Sequence, residues 1–282
     1  MTKLAGKTVL ITGGAGGLGR RLAGEAARSG ASIVLWDLDR GGLEKVAAEL
    51  APLGSARVYA CDVSDRKAVY ETAARVEADG GPIDVLVNCA GVVSGSAFLD
   101  LPDDKIERTF GVNTLALYWT CKAFVPRMVE RNRGHVVTLA SASGLIGVAK
   151  LSDYSASKWA AIGFDESLRV ELAKSAPGVL TTVVCPYYIN TGMFDGVRSR
   201  FPLLLPILDE GDVARRIVRA IERGKRRLCL PWLVSLLPLM RVLPVAAMDR
   251  LADFLGVNVS MDEFVGRTHQ DAGEARRTGI VR

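Results

Sequence analysis

The sequence predicts a single α/β fold built on a doubly wound parallel sheet, and three observations carry that expectation. Short β-branched runs alternate with longer helical stretches through the first two-thirds of the chain. The runs are apolar throughout rather than alternating, and the first ends in a cluster of glycines. Strands buried on both faces need no polar side, so continuous apolar runs separated by helices point to a parallel sheet between two helical layers. Right-handed crossovers then give the doubly wound order.

The expected strands are Thr8–Thr12 (TVLIT), residues 32–36 (SIVLW), 57–61 (RVYAC), Val85–Asn88 (VLVN), 135–139 (HVVTL), 180–185 (LTTVVC) and Arg227–Leu230 (RLCL). Between them helices are expected over residues 18–29, 42–51, 65–78, 105–131, 153–175 and 212–223. The 282 residues suffice for one large domain with a small appendage. Residues 1–230 read as the main domain, and residues 231–282 as an apolar, proline-broken extension packed on it. The polar end, residues 271–282, is expected to fray.

Composition excludes several function classes. The net charge of +5 is mild, and no aromatics interleave with basic residues as a nucleic-acid stacking platform would. Five cysteines without a C-x-x-C pair and only two histidines give no metal site and no disulfide framework, so a reducing cytoplasm is expected. No secretory pattern opens the chain. The apolar stretch from Leu228 to Arg241 is too short for a membrane span and is broken by Pro231 and Pro238.

The glycine cluster (TGGAGGLG) lies between the first strand and the first helix. Gly13, Gly14, Ala15, Gly17, Leu18 and Gly19 would let the backbone turn tightly and present a helix N-terminus to a pyrophosphate. A tight turn without ligand is the plainer alternative. Asp37, ending the second strand, would accept hydrogen bonds from ribose hydroxyls and repel a 2′-phosphate, which favours NAD over NADP; Arg40 is the counter-indication. Asp62 would meet the adenine edge or cap the helix beginning near Ser64. After the fourth strand, Ala90 and Gly91 would admit the cofactor closely while Asn88 ties neighbouring strands.

Tyr154 and Lys158 are four residues apart, on one helical face. A phenol is a poor base at neutral pH. An ammonium at roughly 4 Å interacts with a phenolate by about 4 kcal/mol at an effective dielectric of 20, enough to lower the tyrosine pKa by up to about 3 units. The spacing alone fits an exposed helix face equally well. Ser141, at the C-terminal end of the fifth strand, could hold a substrate oxygen beside the phenol. Asn113 is locally unfavourable in mid-helix, which suggests either a water-holding duty or a buried hydrogen bond.

TGGAGGLG, Asp62-Val63, NCAG, Asn113, Ser141, YSASK and Pro186…Thr191 stand in the order that resembles the short-chain dehydrogenase/reductase superfamily, over roughly residues 5–230. The resemblance implies a Rossmann-type fold and a tetrad. In it Tyr154 is acid or base, Ser141 orients the substrate oxygen, Lys158 holds the nicotinamide ribose and lowers the tyrosine pKa, and Asn113 anchors a water. It places Val63, Pro186, Ile189 and Thr191 beside the cofactor, a substrate lid over about residues 191–210, and assembly as a homodimer or homotetramer. Where the family commonly has Pro-Gly, this chain has Pro186-Tyr187-Tyr188. That segment and the C-terminal stretch resemble the retinol dehydrogenase and 17β-hydroxysteroid dehydrogenase-like branch, whose members take lipidic alcohols. Tyr187, Met193 and Phe194 are accordingly expected at an apolar substrate.

The expected activity is NAD(H)-dependent interconversion of a hydrophobic alcohol and its ketone or aldehyde. An NADPH-dependent 3-oxoacyl reductase and a non-catalytic dinucleotide-binding protein are the alternatives. The basic run from Arg215 to Arg227, followed by Trp232 and Leu233, could rest on a membrane surface; a solvated helix face is the plainer reading.

Overall fold

The computed structural model describes residues 1–266; the tail expected to fray, residues 271–282, lies outside them, as does Arg267. Seven strands, β1 (Thr8–Thr12), β2 (Ser32–Asp37), β3 (Ala56–Ala60), β4 (Val85–Asn88), β5 (Gly134–Leu139), β6 (Val179–Pro186) and β7 (Arg227–Leu230), form one sheet in the order β3-β2-β1-β4-β5-β6-β7. All six pairings are parallel. The order reverses between β1 and β4, and that switch point opens a crevice at the C-terminal strand ends.

Helices α1 (Gly17–Arg28), α2 (Arg40–Leu50), α3 (Arg66–Gly80), α4 (Asp103–Phe110), α5 (Ala116–Glu130), α6 (Ser152–Ser175) and α7 (Glu210–Glu222) cover the sheet. Side chains alternate across it: Val9 and Ile11 pack with Leu22 of α1, Val46 of α2 and Ile217 of α7, while Leu10 packs with Val69 of α3, Phe124 of α5 and Leu172 of α6. Burial on both faces accounts for strands that read as unbroken apolar runs.

The single helix expected over residues 105–131 is interrupted. Residues 111–115 form a π turn in which the Ala116 N–H reaches back five residues to the Gly111 carbonyl. The extra residue shifts the register by only one position, which the helical pattern of the sequence does not mark. Asp62 does not cap α3: it accepts the Ser64 N–H and O–H at 2.9 and 2.6 Å, while Asp65 caps the helix by accepting from Lys67 and Ala68.

Beyond β7, a 3₁₀ turn (Trp232–Leu236) leads into α8 (Leu237–Met240) and α9 (Val245–Phe254). Among the described residues, no helix is long and apolar enough to cross a membrane. The basic run and the apolar extension do not form one surface. Lys225, Arg226 and Arg227 lie at the N-terminal end of β7 and Trp232 lies past its C-terminal end, a strand's length apart, and Arg227 pairs with Glu166.

Candidate active site

The turn from β1 to α1 is fixed by backbone geometry. Gly13 has φ +70°, and a Cβ there would stand 2.9 Å from the Ala90 Cα; a Cβ on Gly19 would overlap the Gly13 carbonyl oxygen. The turn is tied to β2 twice: the Gly14 N–H donates to the Trp36 carbonyl at 2.9 Å, and the Ala15 N–H donates to Asp37 Oδ2 at 3.1 Å. Asp37 Oδ1 accepts from the Asp39 N–H at 3.1 Å. Arg40 engages Glu44 at 2.9 Å on the exposed face of α2. Gly17 packs on Thr191, bringing the segment after β6 against the turn.

The tie between β1 and the segment after β4 is made by a residue that the sequence reading passed over. Buried Thr12 Oγ1 accepts the N–H groups of Cys89 at 3.0 Å and Ala90 at 3.1 Å. Asn88, expected to join neighbouring strands, instead accepts from Thr120 Oγ1 of α5 at 2.8 Å, because its side chain points into the helical layer.

Above this crevice lies a cavity of about 800 Å³. Gly13, Leu18, Gly19, Asp37, Asp62, Val63, Ala90 and Gly91 line one half, joined by Gly16, Ser64, Cys89 and Arg108, which the sequence did not single out. Gly14, Ala15, Gly17, Asn88 and Asn113, expected at the site, do not line the cavity. Ser141, Tyr154, Lys158, Pro186 and Ile189 line the middle, and Thr191 stands beside them. The other half is apolar. Tyr187, Met193, Phe194, Leu204 and Leu205 line it, together with Leu233, Leu237, Met240, Met248 and Leu255 of the extension. The extension thus forms a wall of the cavity rather than a surface appendage.

Tyr154 and Lys158 are both buried, at 5% and 4% exposure. Lys158 Nζ donates to the Leu139 carbonyl at 2.8 Å and stands 5.6 Å from the centre of the Tyr154 ring. Burial pushes the Lys158 ammonium down to about 8. Burial also holds the Tyr154 phenol above its ordinary value, with hydrogen bonding to Ser141 acting in the opposite sense. The phenol is thus held up where the lysine was expected to lower it, because desolvation is the largest influence on it. Ser141 Oγ also accepts from the Ser143 N–H at 3.2 Å and the Ser143 hydroxyl at 3.0 Å.

Asn113 occupies the π turn, 2% exposed. Its Oδ1 accepts the Val92 N–H at 2.9 Å, and its Nδ2 donates to the Val92 carbonyl and to Ser157 Oγ, both at 3.0 Å. These bonds meet the expectation of a buried hydrogen bond. On the apolar side, Phe194 meets Tyr154 edge-on at 5.7 Å, Tyr188 meets Phe194 at 5.1 Å, and Phe264 stands 6.4 Å from Phe194. Tyr188 and Phe264 were not expected at the site. No local pattern marks Phe264, which arrives through a long-range contact.

Gly91 presents a bare backbone 3.4 Å from Asn113 Oδ1 and 3.7 Å from Lys158 Nζ, measured from where a Cβ would stand. With the turn at Gly13 and the Asp37 carboxylate, this is a groove whose closest approaches are kept free of side chains. Its residues fit an extended dinucleotide.

Comparison with known proteins agrees with this geometry. The short chain dehydrogenase family profile matches residues 7–201. Epidermal retinol dehydrogenase 2 of Mus musculus is 45% identical over 268 residues, covering 94% of this chain and 87% of that protein. Retinol dehydrogenase 10-B of Danio rerio is 40% identical over 302 residues, covering 98% and 90%. Among solved structures, a short chain dehydrogenase/reductase from Burkholderia phymatum in complex with NAD superimposes with a TM-score of 0.77 at 25% identity, covering 86% of this chain and 95% of that one. An alcohol dehydrogenase from Thermococcus sibiricus complexed with 5-hydroxy-NADP gives 0.71 at 25% identity, covering 79% and 95%. The chain therefore belongs to the short-chain dehydrogenase/reductase family and is an oxidoreductase acting on alcohols.

Proposed function

We propose that this enzyme interconverts a hydrophobic alcohol and its ketone or aldehyde with NAD(H), using Tyr154, Lys158, Ser141 and Asn113. The observation that carries the reading is the position of Ser141 and Tyr154, where the glycine-lined half of the cavity meets the apolar half. A nicotinamide dinucleotide, when bound, supplies hydride exchange at its ring. The protein's residues do the rest. The Tyr154 hydroxyl gives a proton to the substrate oxygen in reduction and takes it in oxidation, and the Ser141 hydroxyl holds that oxygen beside it. Lys158 keeps positive charge below the phenol and holds the nicotinamide ribose. Asn113 fixes the loop at Val92 against α6, and the water that the family resemblance assigns to it would lead from Lys158.

NAD is favoured by the Asp37 carboxylate at the end of β2, which would meet a 2′-phosphate with like charge, and by the engagement of Arg40 with Glu44. Binding calorimetry with both cofactors tests this; tighter NADP binding returns the 3-oxoacyl reductase reading. The apolar wall from the lid and extension supports a lipidic substrate of the retinoid, steroid or fatty-alcohol kind. A panel containing retinol, a steroid alcohol, 1-decanol and cyclohexanol, followed by NADH absorbance, identifies the class. Tyr154→Phe is expected to abolish turnover while leaving NAD binding intact. Unchanged turnover rejects the mechanism, and cofactor binding with no turnover on any alcohol returns the non-catalytic reading.

Two features of the exterior support further contacts. Trp232, Leu239, Val242 and Val245 face outward at 70%, 71%, 83% and 77% exposure on the segment whose inner side lines the cavity, which supports peripheral contact with a membrane. Absence of co-sedimentation with liposomes at low salt rejects it. Exposed Leu115 of the π turn, Tyr118 of α5 and Val170 of α6 support pairing of chains, which a native mass measurement decides.

A further inference from the structure

Two pairs of residues, each pair spaced four apart, meet where α4 and the π turn pack on the catalytic helix α6. Thr109 and Asn113 lie on α4 and the π turn; Asp153 and Ser157 lie on α6, each directly before Tyr154 and Lys158. Thr109 Oγ1 donates to Asp153 Oδ2 at 2.7 Å, and Asn113 Nδ2 donates to Ser157 Oγ at 3.0 Å. Each pair also takes hold of the loop after β4. Ser94 Oγ donates to Asp153 Oδ1 at 2.7 Å, as Val92 bonds Asn113 through both its N–H and its carbonyl. The Asn113 half belongs to the mechanism above; the Asp153 half has no part in it so far.

Asp153 is a carboxylate at 4% exposure, placed in the first turn of α6, where the helix N-terminus favours negative charge. Both of its oxygens receive hydroxyl donors from separate elements, so rotation of the first turn would break two charge-assisted bonds at once. Ser94 adjoins Gly95, on which Phe264 packs so closely that a Cβ would collide, and Phe264 is part of the aromatic group around Phe194 and Tyr154. The carboxylate therefore joins the catalytic helix, α4 and the loop under the substrate wall.

We propose that Asp153, held by Ser94 and Thr109, is a positioning residue that sets the Tyr154 hydroxyl against the substrate oxygen. The proposal rests on the assignment of Tyr154 as the acid–base residue. Asp153→Asn keeps the side-chain shape and replaces one acceptor oxygen by a donor. In the full chain, with the fastest alcohol of the panel, kcat falls by about tenfold to a hundredfold. The NAD dissociation constant changes by less than about twofold, since the glycine turn is untouched. The D2O isotope effect on kcat rises, because proton transfer becomes rate-limiting; loss of stability alone would not move it. Thr109→Val gives a smaller loss in the same direction, and the double variant is no slower than Asp153→Asn alone, since both remove one interaction.

Wild-type kcat in Asp153→Asn, or a fall with an unchanged isotope effect and weakened NAD binding, overturns the proposal. Tyr154→Phe measured alongside separates the two levels. An active Tyr154→Phe rejects the mechanism and the positioning role together; an inactive one beside a wild-type-like Asp153→Asn rejects the positioning role alone.

Discussion

Lys158→Met tests whether the buried ammonium is held against the preference of the fold. Lys158 is fully enclosed, and burial lowers it from an ordinary value of 10.5 to about 8. The sign follows from proton binding. Between those two values the unfolded chain carries a proton that the folded chain has released, so wild-type stability rises with pH across this window. Below it both states are protonated and the folded state bears the whole cost, about 3 kcal/mol for a shift of this size. Methionine fills similar volume without charge. It also removes the bond from Nζ to the Leu139 carbonyl, which costs about 1–3 kcal/mol independently of pH. Absolute stabilities at one pH therefore do not discriminate, whereas the difference between two does. Urea unfolding of the cofactor-free protein at about pH 7 and about pH 10 should show wild type gaining about 2.5 kcal/mol relative to Lys158→Met. A difference that stays constant across this range refutes the claim that burial depresses the lysine.

Two further variants probe the dinucleotide half. Thr12→Val keeps the shape of the side chain but leaves the Cys89 and Ala90 N–H groups without their acceptor, and should cost about 1–3 kcal/mol in urea unfolding. Gly19→Ala places a methyl group against the Gly13 carbonyl, so the turn must open; NAD affinity by calorimetry should fall by at least about tenfold, with a loss of about 1–3 kcal/mol in stability.

The sheet was legible in the sequence because burial on both faces erases alternation. TVLIT, VLVN and RLCL could be bounded as β1, β4 and β7 from their apolar runs alone. Ser141, Tyr154 and Lys158 could be placed together because a parallel sheet brings all its C-terminal strand ends to one edge. What escaped depended on contacts without local periodicity. The π turn at Asn113 costs a single residue of register. The tie at Thr12 looks like ordinary strand sequence. The wall built by Leu233, Met240 and Met248 exists only because the extension folds back over the crevice. The tyrosine's proton affinity escaped for another reason: the i,i+4 spacing shows the lysine but not the burial that opposes it.

That burial comes only in part from the sheet. Tyr154 packs with Leu151 of its own neighbourhood, but also with Tyr188, Val197 and Met261, and Phe194 and Phe264 rest against the same cluster. Four of these six, Val197, Met261, Phe194 and Phe264, lie in or beyond the segment proposed as a lid, and Phe264 closes on Gly95 from the far end of the described chain. The groups that would exclude water from the proposed apolar substrate are thus the groups that desolvate the phenol. A change in the lid or extension that admits water would relax Tyr154 downward and Lys158 upward, toward their ordinary values, even with every catalytic side chain in place. Under the proposed function, the substrate wall and the acid–base strength of Tyr154 would change together. A variant that opens the cavity to a bulkier alcohol should show an altered pH profile along with its altered specificity.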